Sequence, residues 1–281
     1  MGSTNTLCSS CRRRYAVYKR RNSGEILCRL CLFRSLVKQT RKAVSYYQMI
    51  RRNGSSLYIV RPDAIGESIV GFTVYRNSIK DFKTKIYVLC VDGITRCRDI
   101  ETFFNVKVDR YLKVNIGYVP SNKVEMIKFI EAVAVRIARK FDIEFVASPL
   151  FRDELALFLL AGILTTLGTV FSEGLPIKIV DGIKIVRPFY YVMFVDVVLM
   201  KILDHVNIEP GVEFECEDYI RKAKSMLYSS LELMYSSTKV IELFQRYAFN
   251  SSKRCRYCGA YTLNDICNAC ERFHKYIDSI E

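Results

Sequence analysis

The segment Leu57–Ser78 reads LYIVRPDAIGESIVGFTVYRNS and joins the two periodicities from which an α/β fold is built. Leu57–Val60 is a short apolar run that is typical of a buried strand. Glu67–Ser78 carries apolar residues at helical spacing, and the residues between the two runs include Pro62 and Gly66, which favour a loop. The segment therefore predicts a strand, a loop and a helix, which together form the repeating unit of a parallel sheet.

The same alternation continues along the chain. Further elements are predicted at Lys85–Val91 (strand), Arg110–Val119 (strand), Lys123–Phe141 (helix), Ile143–Ala147 (strand), Arg152 onward (helix), Ile177–Val186 (a pair of strands), Tyr190–His205 (helix) and Glu217–Tyr247 (helix). We therefore predict an α/β, Rossmann-like domain with a parallel sheet flanked by helices. Such folds bind ligands at the carboxyl ends of their strands.

The uncharged run Leu155–Phe171 is almost long enough to span a bilayer. It contains Thr165, Thr166 and two glycines, and it directly follows Arg152, Asp153 and Glu154. We interpret it as a buried helix of the α/β domain and predict no membrane partner. Half of the 281 residues are apolar, which suffices for one central domain with small appendages.

Basic residues are concentrated near the amino terminus. Residues 1–54 contain thirteen lysines or arginines and one acidic residue, so they carry +12 of the formal net charge of +14. A patch of this density is typical of a surface that contacts phosphates; a solvated charged face or a membrane-surface helix are the alternatives. The predicted phosphate contacts are Arg12, Arg13, Arg14, Lys19, Arg20, Arg21, Lys38, Arg41 and Lys42.

Eight of the eleven cysteines form two sets of paired CxxC motifs. The sets are Cys8, Cys11, Cys28 and Cys31, and Cys255, Cys258, Cys267 and Cys270. Four thiolates close a tetrahedral site and leave no open position for a substrate, so we predict two structural zinc ions. Four thiolates also accept iron. Residues 1–54 are predicted to join the first module to a basic helix over residues 31–52, residues 55–250 to form the α/β domain, and residues 251–281 to form the second module.

The first residues have no apolar core of a signal peptide, and most cysteines have metal-binding spacing. We therefore predict a cytoplasmic protein without disulfides. Cys90 is predicted to be a small buried apolar residue, and no role is assigned to Cys97 or Cys216. The segment Asn53–Ser56 is predicted to be a linker into the central domain.

Both ends of the chain resemble one family, the TtuA-type tRNA 2-thiolation proteins of the PP-loop ATP pyrophosphatase superfamily. The resemblance rests on the two CxxC pairs of each module and on neighbouring residues, which include Ser23-Gly24-Glu25, Phe33-Arg34 and Gly259. It implies a Rossmann-like adenylating domain, tRNA as the partner and terminal zinc modules, over the whole chain.

The centre of the chain departs from that family at the positions of its chemistry. Where family members have a phosphate-binding Ser-Gly-Gly-x-Asp-Ser loop, this chain has Asp63-Ala64-Ile65-Gly66-Glu67-Ser68. Of the second family element only Asp153 and Glu154 remain, and they also suit a helix amino terminus. Residues 123–136 lack the cysteines that hold the family's iron–sulfur cluster, and Cys216 could match a later one.

These departures argue against ATP and an iron–sulfur cluster as cofactors. They lead to the hypothesis of a catalytically degenerate relative that binds tRNA or another structured RNA. Two alternatives remain open. One is a divergent ATP-dependent tRNA thiolase that uses Cys90, Cys97 or Cys216 as a sulfur acceptor, and the other is a partner that assembles with a competent paralogue or with a second copy of itself.

Overall fold

A computed structural model of the protein describes residues 6–21, 23–105, 108–208, 212–237, 241 and 253–280. The strands are β1 (Tyr18–Lys19), β2 (Ile26–Leu27), β3 (Ser55–Ile59), β4 (Lys85–Asp92), β5 (Arg110–Asn115), β6 (Phe145–Ala147), β7 (Ile177–Val180), β8 (Ile183–Val186), β9 (Lys253–Arg254) and β10 (Tyr261–Thr262). The helices are α1 (Arg29–Tyr46), α2 (Ile65–Ile79), α3 (Cys97–Asn105), α4 (Lys123–Lys140), α5 (Arg152–Thr165), α6 (Gly168–Phe171), α7 (Phe194–Leu203), α8 (Asp218–Ser229), α9 (Leu231–Ser237) and α10 (Asn268–Asp278).

Six strands form the central sheet in the order β5-β4-β3-β6-β8-β7. All neighbouring strands are parallel except β7 and β8, which form an antiparallel hairpin at one edge. The hairpin turns at Asp181 and Gly182, which both have positive φ angles, the combination found in tight type I′ turns. The predicted fold class, a mostly parallel sheet flanked by helices, is confirmed.

The core consists of apolar strands packed against helices. Leu57, Tyr58 and Ile59 of β3 are fully buried, and α4 packs against β3, β6 and β8. On the other face α2 packs against α1 and α7. Helix α4 begins at Lys123 and is capped by Asn122, whose side chain accepts from the backbone N–H of Glu125 at 2.8 Å, a bond that explains the sharp start.

Several predicted boundaries differ from the structure. Ser55 and Ser56 were predicted to lie in a linker, but they are the first residues of β3 and pair with β4 and β6. The predicted helix Tyr190–His205 starts later, at Phe194. Helix α3 was not predicted. The run Leu155–Phe171 is divided between α5 and α6, which are separated by Thr166 in a left-handed conformation.

No helix in the described part of the chain combines the length and the apolar character needed to cross a membrane. The final part of the predicted helix Glu217–Tyr247 lies mostly outside the described residues. Its first part forms α8 and α9, which pack against α5.

Candidate functional site

The side chain of Arg61 fills the loop that follows β3. It is 1% exposed, and its guanidinium donates to both carboxylate oxygens of Asp63, at 3.0 and 2.6 Å. It also donates to both oxygens of Glu154, at 2.6 and 2.8 Å, and to the carbonyl oxygen of Pro149 at 3.0 Å. All three guanidinium nitrogens are therefore engaged within the protein, in the paired geometry that arginine and carboxylates favour.

Lys123, the first residue of α4, completes this ion network. Its ammonium lies 2.9 Å from Glu154 and 3.5 Å from Asp63, so two cations face two carboxylates. Burial alone would raise the pKa of Glu154, but the charges of Arg61 and Lys123 outweigh it and hold that pKa well below its usual range. The pKa of Asp63 is lowered by the same two neighbours against the effect of burial. The network is therefore ionised and neutral overall at pH 7.

The amino terminus of α2 is closed by contacts of its own. Ser68 accepts a hydrogen bond from the backbone N–H of Arg61 at 3.1 Å and donates one to the carbonyl of Ala64 at 2.7 Å. A Cβ atom at Gly66 would lie 2.6 Å from the Lys201 side chain, whose ammonium binds Glu67 at 2.7 Å. The residues at the position of the family's phosphate-binding loop are thus engaged in hydrogen bonds and ion pairs within the protein.

Helix N-termini bind phosphate through free backbone N–H groups and a positive dipole end. In this chain the carboxylates of Asp63 and Glu67 lie at that position, and each is already paired with a cation, Asp63 with Arg61 and Glu67 with Lys201. The sequence comparison identified Asp63 as an obstacle, but it did not find Arg61 or Lys123. A buried arginine directly after a strand was the available signal, because such a cation requires carboxylate partners.

Asp153 and Glu154 interact favourably with the dipole of α5, and they also accept hydrogen bonds from neighbouring segments. Glu154 accepts from the backbone N–H of Phe151 at 3.2 Å as well as from Arg61, and Asp153 accepts from the backbone N–H of Phe194 at 3.0 Å. Burial, together with the charge of Glu154, raises the pKa of Asp153 to about 6. Asp153 therefore joins the first turns of α5 and α7, and it titrates near neutral pH.

A small cavity of about 190 Å³ adjoins this network at the carboxyl end of the sheet. Cys216 lines it together with Lys123, Asp153 and Glu154, and Lys224 and Tyr228 of α8 form another wall. The thiol of Cys216 is half-buried. This is the location at which a parallel α/β sheet binds a ligand.

Cys90 and Cys97 form a disulfide, with their Cα atoms 5.8 Å apart. The expectation of no disulfide is therefore wrong, and Cys90 is not simply a buried apolar residue. The bond links the end of β4 to the start of α3, and both cysteines are fully buried. This disulfide was not predicted because the loop between β4 and α3, which brings the two residues together, was not predicted either.

The first cysteine module is built from a turn and a helix start. Cys8 and Cys11 lie on a turn closed by the backbone N–H of Arg12 donating to the carbonyl of Cys8 at 2.9 Å. Cys28 is the N-cap of α1, and Cys31 lies in its first turn. The sulfurs of Cys11 and Cys28 are 3.9 Å apart.

The second module repeats this plan. Cys267 is the N-cap of α10, Cys270 lies in its first turn, and the sulfurs of Cys258 and Cys267 are 3.8 Å apart. A helix amino terminus stabilises thiolates. In each module the four sulfurs lie within 4.8 Å of one another. Tetrahedral zinc with Zn–S bonds of about 2.3 Å separates its sulfurs by roughly 3.8 Å, so both sets fit this ion.

The second module is tied to the sheet by a buried charge network that sequence analysis missed. Glu173 accepts from Lys128 at 2.9 Å, from Lys178 at 2.7 Å and from Arg187 at 3.1 Å. Lys178 and Arg187 also pair with Glu131, and all five side chains are buried. Three cations thus face two carboxylates, which leaves one positive charge beside the thiolates of Cys258, Cys267 and Cys270.

Most of the predicted phosphate contacts are on the surface. Those with exposed side chains are Arg12, Arg13, Arg14, Lys19, Arg21, Lys38 and Lys42. Arg41 is half-buried and pairs with Asp81 at 3.3 Å. Arg20 differs from the rest because it is 5% exposed and pairs with Glu25 and Asp196, each at 2.8 Å. The ion pairs of Arg20 therefore connect the first module to α7.

One solved structure shares this fold over nearly the whole chain. The U34-tRNA thiolase NcsA from Methanococcus maripaludis, solved with its [4Fe-4S] cluster, is 15% identical and has a TM-score of 0.72. The similarity covers 96% of this chain and 96% of that chain. At this identity it shows the fold, and it agrees with the resemblance of the two cysteine modules to the tRNA 2-thiolation proteins.

Two NAD synthetases are less similar in structure. NAD+ synthetase from Burkholderia pseudomallei is 8% identical, with a TM-score of 0.39 over 79% of this chain and 90% of that chain. NH3-dependent NAD synthetase from Campylobacter jejuni is 10% identical, with a TM-score of 0.40 over 81% and 97%. Both TM-scores are too low to show a shared fold. No protein family and no curated protein matches the sequence.

The solved thiolase structure contradicts one expectation from the sequence, the absence of an iron–sulfur cluster. The sequence comparison argued against an iron–sulfur cluster, yet the structure that shares this fold holds a [4Fe-4S] cluster, so that exclusion is wrong. The two four-cysteine sets offer the thiolates that iron–sulfur clusters and zinc both take.

Proposed function

We propose that this protein binds tRNA, or another structured RNA, through its first cysteine module and α1. We further propose that it does so on the fold of a tRNA thiolase without activating a nucleotide itself. The first proposal rests on the basic surface, and the second rests on the closed loop around Arg61.

The observation that carries the RNA-binding proposal is the set of exposed cations on the first module and α1. Among the described residues, none of Arg13, Lys19, Arg21, Lys38 and Lys42 has an ion-pair partner, although acidic residues are available elsewhere on the surface. Exposed lysines and arginines without acidic partners suit the phosphates of a nucleic acid, and binding releases the counterions that surround those phosphates. The solved structure that shares this fold is described as a tRNA thiolase, which makes tRNA the first RNA to test.

The absence of nucleotide activation is supported by the chemistry of the loop after β3. A triphosphate carries several negative charges and needs backbone N–H groups or free cations. Here the donors of Arg61 are engaged by Asp63, Glu154 and Pro149, and the network is neutral without a ligand. ATP binding would have to break buried ion pairs.

The RNA-binding proposal is tested by fluorescence anisotropy with a labelled tRNA over a series of salt concentrations. Lys38→Glu should weaken binding at every salt concentration and lower the slope of log K against log salt by about 1. Lys222→Glu makes the same charge change on exposed α8 and serves as the matched control. Equal effects of the two variants would contradict an interface on α1, and salt-independent binding would contradict a phosphate-dominated one.

The nucleotide proposal is tested by calorimetry of ATP with the metal-replete protein, alone and with saturating tRNA. We expect no heat of binding at millimolar ATP in either case. Saturable binding, with a matching rise in melting temperature, would show that the network opens for a ligand and would refute the proposal.

The cavity lined by Cys216 favours one second candidate, a divergent thiolase. A half-buried thiol beside Lys123 and Asp153 lies where a parallel sheet binds its substrate. Incubation with ATP, sulfide and tRNA, followed by mass spectrometry of the nucleosides, decides this point. A thiolated nucleoside that is lost in Cys216→Ser would establish this candidate in place of the one proposed above.

Association with a second copy or with a competent paralogue stays a prediction. Light scattering of the purified protein, alone and mixed with a paralogue, measures it directly.

A further inference from the structure

Three cations and one tyrosine form a stripe along the exposed side of α1. Arg34, Lys38, Lys42 and Tyr46 are spaced by four residues, and all four side chains are exposed. At 1.5 Å of rise per residue the stripe is about 18 Å long and winds slowly around the helix. Among the described residues no ion pair engages its three cations. A stripe of phosphate-binding residues thus ends at an aromatic ring.

That ring belongs to a cluster of four tyrosines, Tyr46, Tyr47, Tyr190 and Tyr191, which we call the tyrosine cluster. Tyr47 makes edge contacts with Tyr46 at 4.8 Å and with Tyr190 at 5.1 Å, measured between ring centroids. It is stacked against Tyr191 at 6.3 Å with an angle of 30° between the ring planes. The cluster joins the end of α1 to the loop that follows β8.

Exposure differs strongly within the tyrosine cluster. Tyr190 is fully buried, Tyr47 and Tyr191 are half-buried, and Tyr46 is 65% exposed. The inner rings therefore hold the outer ring in place, while most of Tyr46 faces solvent. Packing of the fold accounts for Tyr190, whereas Tyr46 leaves most of its ring accessible to a ligand at the end of the basic stripe.

The cation nearest to the tyrosine cluster is also oriented by it. The ammonium of Lys42 lies 5.1 Å from the centroid of the Tyr191 ring, within the range of a cation–π contact. This contact restrains the otherwise flexible Lys42 side chain one helical turn before Tyr46. A positive charge one helical turn from an exposed ring suits a nucleotide, because a cation binds its phosphate and an aromatic ring stacks on its base.

We propose that the tyrosine cluster is a stacking platform for an unpaired base of the RNA whose backbone lies along the α1 stripe. The proposal rests on the proposed RNA-binding function and specifies the substrate: RNA with an unstacked base, such as a loop or a single-stranded end. Sequence-specific and single-strand binding proteins use aromatic rings in this way, since every base presents a π face. In a continuous duplex the bases are stacked and paired, so the platform would contribute nothing.

The test uses an RNA hairpin with 2-aminopurine in its loop and, for comparison, a blunt RNA duplex of similar length. Wild-type protein should bind the hairpin more tightly and should quench the 2-aminopurine fluorescence by stacking. Tyr46→Ala should weaken hairpin binding about tenfold and abolish the quenching, while the salt slope and the duplex affinity stay unchanged. Tyr46→Phe keeps the ring and should behave like the wild type.

Phe103 provides a control. It is an aromatic residue on α3 that is 43% exposed and lies outside both the basic stripe and the cavity lined by Cys216. Phe103→Ala should leave both RNA affinities and the quenching unchanged. Wild-type hairpin affinity and quenching in Tyr46→Ala would overturn the platform while leaving the RNA-binding proposal intact. Absence of salt-dependent binding of either RNA to the wild type would overturn both proposals.

Discussion

Replacing Arg61 by methionine tests whether the loop after β3 is held by buried ion pairs. The guanidinium is 1% exposed as a side chain, and its partners Asp63 and Glu154 are 13% and 10% exposed. Without Arg61 the two carboxylates would have Lys123 as their remaining cation, so the site would change from neutral to a charge of −1. Removing one partner of a buried pair costs ~3–5 kcal/mol, and we expect a loss of this size at pH 7.5.

The same change should alter the dependence of stability on pH. In the wild type the lowered pKa values of Asp63 and Glu154 contribute stability that is present above their unfolded-state pKa values and lost as the pH falls through their folded-state values. In Arg61→Met these carboxylates lose most of the charge that lowers their pKa, so they bind protons more readily in the folded state. The destabilisation should therefore be smaller at pH 5 than at pH 7.5.

The assay is urea unfolding of the metal-replete protein, followed by circular dichroism at both pH values. The control is Arg139→Met, which removes an ion pair with Asp181 whose side chains are 39% and 63% exposed. Such exposed pairs contribute less than about 1 kcal/mol. A second variant, Arg61→Met with Asp63→Asn, removes one stranded carboxylate and should recover part of the loss. If Arg61→Met costs no more than the control, or the same at both pH values, the account of a closed loop is wrong.

Three further predictions concern other parts of the molecule. Asp153→Asn should stabilise the protein at pH 8, where the wild-type carboxyl is ionised at a cost because its pKa is raised to about 6. It should stabilise the protein less at pH 5, where the folded-state carboxyl is mostly protonated; melting temperatures of both proteins at the two pH values measure this. Replacing Cys90 and Cys97 together by serine should lower the free energy of unfolding by about 2–3 kcal/mol, because the disulfide no longer restricts the unfolded chain between these two residues, which are seven positions apart. A variant as stable as the wild type would argue against the bond. Lys128→Met removes a buried positive charge beside three of the thiolates. The second module of this variant should therefore release its metal to a competing chelator at about 10- to 100-fold lower chelator concentration. Lys253→Met removes an exposed lysine of the same module and should leave metal release unchanged.

The loop and the basic surface together suggest how such a protein could differ from a thiolase of the same fold. The carboxyl edge of the sheet holds a neutral ion network, while the first module and α1 keep their exposed cations. In the proposed function, RNA binding and nucleotide activation would depend on separate groups of residues, so one could be present without the other. This separation underlies the proposed function and makes the two experiments on tRNA and ATP independent of each other.

The sequence by itself determined the features that depend on local spacing. The two CxxC pairs of each module place their sulfurs on short turns and helix starts, so the metal sites follow from positions a few residues apart. The alternation of apolar runs likewise determined the strands and helices of the sheet, because burial on two faces imposes periods of 2 and 3.6 residues. The excess of cations in residues 1–54 could be counted directly.

The tertiary structure decided which of those residues meet. Arg61 and Glu154 are 93 positions apart, and their pairing arises because β3 and β6 are neighbours in the sheet. Arg20 is one cation among many in the sequence, yet it is buried against Asp196, and Tyr47 packs against Tyr190 and Tyr191 across more than 140 residues. The electrostatics of a buried group depend on every charge that folding brings near it, and those neighbours are set by the packing of distant elements rather than by local sequence.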